Sequence, residues 1–127
     1  MAKTAKISLD HNQYGFFQLK LNKAGMYEVM KELEKAVETY IEHIPAVEAL
    51  LKARCEDTRR YHIKAKELED AGLSVGDTLD ATESKGHIKW QTLLHRYYFY
   101  VASVYHTLEN EAKENEFYTK AGDIRRD

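Results

Sequence analysis

The sequence predicts a mainly α-helical fold, a three-helix antiparallel bundle with an N-terminal β-hairpin. Hydrophobic residues make up 43% of the chain, enough for a buried core. Apolar residues recur at helical spacing from about residue 24 onward, whereas the first 22 residues alternate. The length of 127 residues indicates one domain over 1–127, which can bury a core without disulfides or metals.

The N-terminal residues show the period of two that is typical of strands. The alternating apolar positions are Ile7 and Leu9, then Phe17, Leu19 and Leu21. A turn-rich stretch at 11–15 separates the two sets, so we predict a β-hairpin over 1–22. Because two strands alone are marginal in water, the hairpin is expected to pack on the helices.

Three helices are predicted, over residues 24–44, 45–71 and 87–120. Proline favours a first helical turn over a helix interior, so Pro45 is expected to begin the second helix. The alternative is one kinked helix with two arms, and we favour two antiparallel neighbours. Residues 72–86 have the Ser, Thr, Asp and Gly content of an acidic loop.

Composition excludes several classes of protein. The net charge of −2 gives no overall field that would recruit nucleic acid or an anionic membrane. There is one cysteine and no apolar run of signal-peptide or membrane-span length. We therefore expect a cytoplasmic protein with no membrane partner.

Familiar cofactor and metal motifs are absent from the sequence. It has no Walker A loop, no dinucleotide-binding glycine pattern, no Cys-x-x-Cys and no His-Glu-x-x-His. No histidine follows a glutamate by three residues, as the di-iron bundles require. We predict no cofactor and no bound metal.

One side of the second predicted helix carries polar residues among apolar ones, including a core-facing arginine. Antiparallel packing would bring five side chains together: Arg54, Thr58, His62, His95 and Tyr98. Arg54, His62 and His95 are the candidate catalytic residues. An Arg facing a His in a bundle invites comparison with HEPN-type ribonucleases, although the seven residues between Arg54 and His62 depart from the spacing of that family. This is the enzymatic alternative.

A basic ridge lies on the same helix. Between residues 52 and 66 there are six basic and two acidic residues, whereas 67–83 holds six acidic residues and no basic one. Lys52, Arg59 and Lys66 repeat every seven residues and could contact phosphates. Their i, i+4 acidic neighbours also fit an ordinary solvated helix face. Nucleic-acid binding is the second alternative.

The third predicted helix has a second aromatic stripe besides its core-facing one. The candidate binding residues are Phe99, His106 and Phe117 on that stripe, with Tyr100 and Tyr118 further round. Tyr and Phe are enriched in protein interfaces. We therefore predict a non-enzymatic protein–protein interaction module, a small helical adaptor, regulator or inhibitor of another protein, and a homodimer. Phage and mobile-element accessory genes often encode compact chains of this kind.

Overall fold

The chain folds into helices alone over the residues that the structure describes. The computed structural model describes residues 2–125, with side chains from residue 9 to residue 124. The chain is 88% helical, and no strand occurs in the described part. The elements are α1 (Ala2–Val29), α2 (Leu33–Asp70), α3 (Val75–Thr78), a 3₁₀ helix (Ala81–Lys85), α4 (Ile88–Thr107) and α5 (Glu111–Arg125). Within this range no helix is both long enough and apolar enough to cross a bilayer.

The predicted β-hairpin over residues 1–22 is wrong, since residues 2–29 form α1. Residue 1 lies outside the described residues. Phe17, Leu21 and Ala24 are buried at the i, i+4, i+7 spacing of a helix. Leu19, which a strand would place beside them, is 69% exposed on the opposite side of α1. The tertiary contacts of one helical face therefore override the local alternation.

The first reversal of the chain comes at residues 30–32, not at Pro45. Lys31 adopts a left-handed φ of 62°, and the amides of Lys31 and Glu32 donate to the carbonyls of Glu28 and Tyr27. These bonds satisfy the last carbonyls of α1. The helix predicted over 24–44 is thus divided between α1 and α2.

Helix α2 continues through Pro45, so the two helices predicted over 24–44 and 45–71 are not separate neighbours. Proline removes one backbone donor from the helix interior, at a cost of about 3 kcal/mol. Ile44 and Val47, on either side of it, are buried in the core. We infer that burial of this face offsets the missing hydrogen bond.

The helix predicted over 87–120 is two helices, α4 and α5, joined by a tight turn at 108–110. Glu109 adopts a φ of 59°, and the Asn110 side chain accepts a hydrogen bond from the Lys113 amide, which caps α5. The segment predicted as a loop, 72–86, contains α3 and the 3₁₀ helix.

The core is centred on α4, which packs between α2 and α5, while α1 packs mainly on α2. Its largest fully buried side chains are Trp90, Tyr40, Tyr97, Leu93, Val47, Val101 and Val104. Leu108, at the C-terminal end of α4, is 37% exposed because the helix ends there.

Candidate functional site

Three exposed aromatic side chains form a contiguous surface where α4 packs against α5. Phe99 and Tyr100 lie on α4 and Tyr118 lies on α5, with 44%, 38% and 37% of their surface exposed. The Phe99 ring centroid lies 5.5 Å from that of Tyr118 and 6.3 Å from that of Tyr100. We call these three residues the aromatic surface. All three were predicted to bind a partner.

The aromatic surface is supported from beneath by a histidine that also fixes α5. The His95 ring stacks on Phe99 with centroids 6.2 Å apart. Its Nδ1 lies 3.0 Å from the Ala121 carbonyl oxygen of α5. His95 therefore positions Phe99 and holds α4 against α5. The sequence predicted His95 as a catalytic residue, and that role stays a prediction.

A shallow groove of about 320 Å³ extends the aromatic surface towards α1. The Tyr100 ring lies 6.0 Å from the ring of Tyr40 on α2, and both rings line the groove. Met26 and Val29 of α1 also line it, and they are 65% and 83% exposed. Gly25 contributes no side chain at this point. The groove is thus mostly apolar, with Asn22 and Glu28 as its charged or amide-bearing members, and it is open to solvent.

A buried hydrogen bond fixes the floor of the groove. The Tyr40 hydroxyl donates to Glu28 Oε1 at 2.5 Å. Burial raises the pKa of Tyr40 far above its ordinary value, and the hydrogen bond to the Glu28 carboxylate raises it further. The phenol therefore stays neutral. Tyr40 is therefore held in one orientation as a donor.

The other two candidate binding residues do not join the aromatic surface. Phe117 is only 7% exposed, and its ring packs 6.1 Å from Tyr98 and 5.9 Å from Tyr105. It belongs to the core, because the turn at 108–110 changes the direction of the chain before it. The His106 side chain is 73% exposed and lies 3.0 Å from the Glu114 carboxylate. It lies before that turn, on the same face of α4 as Phe99 but about two helical turns further along.

A second polar feature centres on Asp10, which links three helices. Arg54 Nε of α2 and Trp90 Nε1 of α4 donate to Asp10 Oδ1, at 2.8 and 2.9 Å. The Lys89 ammonium lies 2.5 Å from Oδ2. Burial tends to raise the pKa of Asp10, but the hydrogen bonds from Lys89, Trp90 and Arg54 outweigh it and hold that pKa below its usual value.

The core-facing Arg54 noted in the sequence is compensated by two carboxylates. Besides Asp10, its Nη1 donates to Asp57 Oδ2 at 2.7 Å, and Arg60 donates to the other oxygen of Asp57. The Arg54 side chain is 18% exposed. A guanidinium at this depth needs such partners, because an uncompensated buried charge is strongly destabilising.

A cavity of about 550 Å³ lies beside this network, between α1, α2, the 3₁₀ helix and α4. Asp10, Arg54 and Lys89 line it. At its edge the Thr58 hydroxyl donates to the Glu83 carbonyl oxygen at 2.8 Å, which ties α2 to the 3₁₀ helix. The charged groups here pair with one another, so the arrangement is that of a structural junction.

The five side chains predicted to cluster are not brought to one place. Arg54 and Thr58 lie by the cavity, whereas His62 is exposed, packs on the neighbouring Tyr61 ring and does not line the cavity. His95 faces α5, and the Tyr98 ring packs against Phe117 of α5. The geometry therefore does not bring Arg54 and His62 into one cavity, as the ribonuclease-like alternative would require.

The basic ridge is exposed along α2. Lys52, Arg59 and Lys66 all face solvent, and none forms an ion pair with another residue of the described chain. Successive members stand about 10 Å apart along the helix axis. The i, i+4 pairs expected to neutralise this face are not formed.

No group of three or more metal-ligating side chains converges anywhere in the described residues. No protein-family model matches this chain, and no solved structure matches it significantly. Inferences about function therefore depend on the surfaces and contacts described above.

Two features of the site were missed from the sequence. Asp10 falls within the segment predicted as a β-hairpin, and no site predicted from the sequence includes Tyr40. A helical reading of residues 2–29 would have placed Asp10 on the same face as Phe17 and Leu21, which is a signal that it points inward.

Proposed function

We propose that this protein is a protein–protein interaction module that binds another protein through the aromatic surface. The single observation that carries the proposal is the contiguous exposed surface formed by Phe99 and Tyr100 of α4 and Tyr118 of α5, in addition to the buried face of α4. Contiguous exposed apolar patches on soluble proteins mark contact sites. Aromatic residues supply much of the binding energy at such sites.

The aromatic surface is preorganised, which lowers the entropy cost of binding. Phe99 is held between His95 and Tyr118, and Tyr100 packs against Tyr40. The groove beside Tyr100 offers a recess for one apolar anchor of the partner. Rigid rings beside a recess are typical of interaction hot spots.

The proposal is tested by affinity capture with matched variants. Wild-type protein, Phe99→Asp and Tyr118→Asp are immobilised and exposed to lysate of the organism that encodes the chain, and bound proteins are quantified by mass spectrometry. Ile63→Asp is the control, because Ile63 is 54% exposed on α2, away from this surface. We expect the partner to be recovered with wild type and Ile63→Asp, and at least about tenfold less with the other two.

Titration calorimetry with the purified partner then measures the affinity of each variant. Circular dichroism must show that helix content is unchanged. A partner recovered equally well by all four proteins would show that the aromatic surface is not the binding site.

The basic ridge supports a second candidate function, nucleic-acid binding, because Lys52, Arg59 and Lys66 are exposed without ion pairs in the described chain. Binding of RNA and DNA is measured over a range of salt concentrations. If all three side chains contact phosphates, replacing them with glutamine makes the negative slope of log K against log salt shallower by about three. No binding at low salt would exclude this candidate.

A further inference from the structure

Helix α1 carries a second apolar face, on the side away from the core. Its exposed residues follow the alternating three-and-four spacing of a heptad repeat. They are Leu9, Asn12, Phe16, Leu19, Lys23 and Met26, and the spacing continues to Met30 in the turn that follows α1. The five apolar members are between 49% and 69% exposed. We call these seven residues the α1 seam.

A seam with this period is what a partner helix requires. Apolar residues every 3.5 positions form one narrow line on a helix and pack as knobs into holes of a second helix. The α1 seam runs through three heptads, about 32 Å from Leu9 to Met30. Three heptads is the lower end of the range that indicates a coiled coil. The inner face of α1 is already occupied by α2 and α4.

The two polar members of the α1 seam indicate what the partner helix is. The side chains of Asn12 and Lys23 form no hydrogen bond or ion pair within the described part of the chain. The two core positions of each heptad are labelled a and d. In an antiparallel pair of identical helices, an a position of one helix faces a d position of the other. One register places Leu9 opposite Met26 and Phe16 opposite Leu19. That same register places Asn12 opposite Lys23.

We propose that the occupant is a second copy of this chain, with α1 packed antiparallel on α1 in the register that pairs Asn12 with Lys23. Each apolar residue of the α1 seam from Leu9 to Met26 then meets another apolar seam residue, and the Lys23 ammonium donates to the Asn12 amide oxygen. Because of the two-fold symmetry, each contact occurs twice in the dimer, as in other isologous dimers. A polar layer of this kind fixes register in coiled coils.

Other registers of the same two helices are less favourable. Shifting the antiparallel pair by one heptad places Lys23 opposite Leu19, or Asn12 opposite Phe16, which desolvates a polar group without a partner. A parallel pair places Lys23 opposite Lys23, and like charges repel. Only the proposed register satisfies both polar side chains.

This dimer is independent of the proposed function, because the aromatic surface lies on α4 and α5. The two surfaces meet only at Met26, which lines the groove and belongs to the α1 seam. A dimer formed through α1 would leave Phe99 and Tyr118 of both copies exposed. The predicted homodimer is thereby assigned to α1 instead of to the long C-terminal helix.

Sedimentation equilibrium over a wide range of protein concentration tests the proposal. We expect wild type to change from monomer to dimer with increasing concentration. Leu19→Asp should weaken dimerisation at least about a hundredfold, because a carboxylate is buried twice in each dimer. Leu19 is 69% exposed in the isolated chain, so its replacement should leave helix content unchanged. Phe99→Asp is the matched control and should dimerise like wild type.

Substitution of Asn12 by opposite charges tests the register itself. Asn12→Glu should strengthen the dimer about threefold to tenfold by pairing with Lys23, and Asn12→Lys should weaken it by a similar factor. High salt should reduce both effects. In a parallel pair, position 12 would face itself, and both variants would weaken the dimer.

Three results would overturn the proposal. The first is a wild-type protein that stays monomeric at every concentration. The second is a dimer that Phe99→Asp disrupts and Leu19→Asp does not. The third is a change in the same direction for Asn12→Glu and Asn12→Lys. None of these results bears on partner capture by the aromatic surface, so the two proposals can fail separately.

Discussion

Helices α1 and α4 use their apolar residues in opposite ways. In α4, the large apolar side chains from Trp90 to Val104 are mostly buried, and its exposed rings gather in one small surface. In α1, Phe17, Leu21 and Ala24 are the only buried apolar residues among the side chains that the structure describes, while a full line of apolar residues faces solvent. Both helices are rich in apolar residues, yet α4 stabilises the chain and α1 presents much of its apolar surface.

This difference teaches that apolar content and burial are separate properties of a helix. A helix that is apolar on two sides needs two partners. Helix α4 has them within the chain, in α2 and α5. Helix α1 has an internal partner for its inner face, whereas most of its outer face is exposed to solvent. At the edge of that outer face, the Phe16 ring lies 6.0 Å from the ring of His43 on α2. The contrast between the helices predicts how they respond to substitution.

The largest expected effect comes from removing one leucine from each helix. Leu93 of α4 is fully buried, so Leu93→Ala should lower the free energy of unfolding by about 2–5 kcal/mol. Leu19→Ala on α1 should change it by less than about 0.5 kcal/mol in dilute, monomeric protein. Urea denaturation measures both. Equal losses for the two variants would contradict the comparison.

The next effect concerns the polar link that Asp10 makes between α1 and α4. Asp10→Asn removes a charge that Arg54 and Lys89 both contact, so the unfolding free energy should fall by about 1–3 kcal/mol. Asp123→Asn, at an exposed position of α5, is the control and should have little effect. If the two variants were equally stable, the Asp10 network would contribute nothing to holding α1.

The same link predicts an acid dependence of stability. The pKa of Asp10 is lower in the folded chain than its ordinary value near 3.8, so its contribution is fully present above that value. The contribution is lost as the pH falls through the lowered folded pKa. Denaturation of Asp10→Asn across this acid range should therefore show a shallower loss than wild type. A parallel loss in both proteins would assign the acid sensitivity to other groups.

The smallest effect concerns a single hydrogen bond between the two helices. The Tyr97 hydroxyl of α4 donates to the Phe17 carbonyl oxygen of α1, and Tyr97→Phe should cost about 0.5–1.5 kcal/mol. Tyr118→Phe, which alters an exposed ring, is the control and should cost less.

Burial raises the pKa of Tyr97, so the folded chain keeps this phenol neutral where the unfolded chain ionises it. Stability should decline as the pH rises above the ordinary value near 10. Tyr97→Phe should decline less steeply than wild type, as followed by circular dichroism of the melting transition. Identical slopes would place the alkaline sensitivity elsewhere.

The sequence predicted the helical class and the exposed aromatic residues because both depend on local pattern. Phe99 and Tyr100 could be assigned from spacing along α4, and both are exposed. Tyr118 is exposed as well, but it lies on α5, so spacing along one helix does not account for its position. Phe117 could not be assigned from spacing, because the turn at Glu109 changes the direction of the chain before it. A left-handed glutamate has no signature as clear as that of glycine.

Helix α1 was misassigned because its two apolar faces interleave. Core residues such as Phe17 and Leu21 alternate with seam residues such as Phe16 and Leu19, and this mixture hides the period of 3.6. Gly15 added a turn signal although it lies within the helix. Pro45 led to the prediction of a helix boundary that is not present. Helix α2 continues through it, because the residues that flank Pro45 are buried in the core.

The position of Trp90 gives the molecule an internal optical probe. It is the only tryptophan in the chain, it is fully buried, and its indole N–H is bonded to Asp10. Its ring also contacts Tyr14 and Phe17, both from α1. Separation of α1 from the rest of the chain would expose this indole to water and shift its fluorescence emission to longer wavelength. Emission wavelength therefore reports the docking of one helix, whereas circular dichroism reports the helix content of the whole chain.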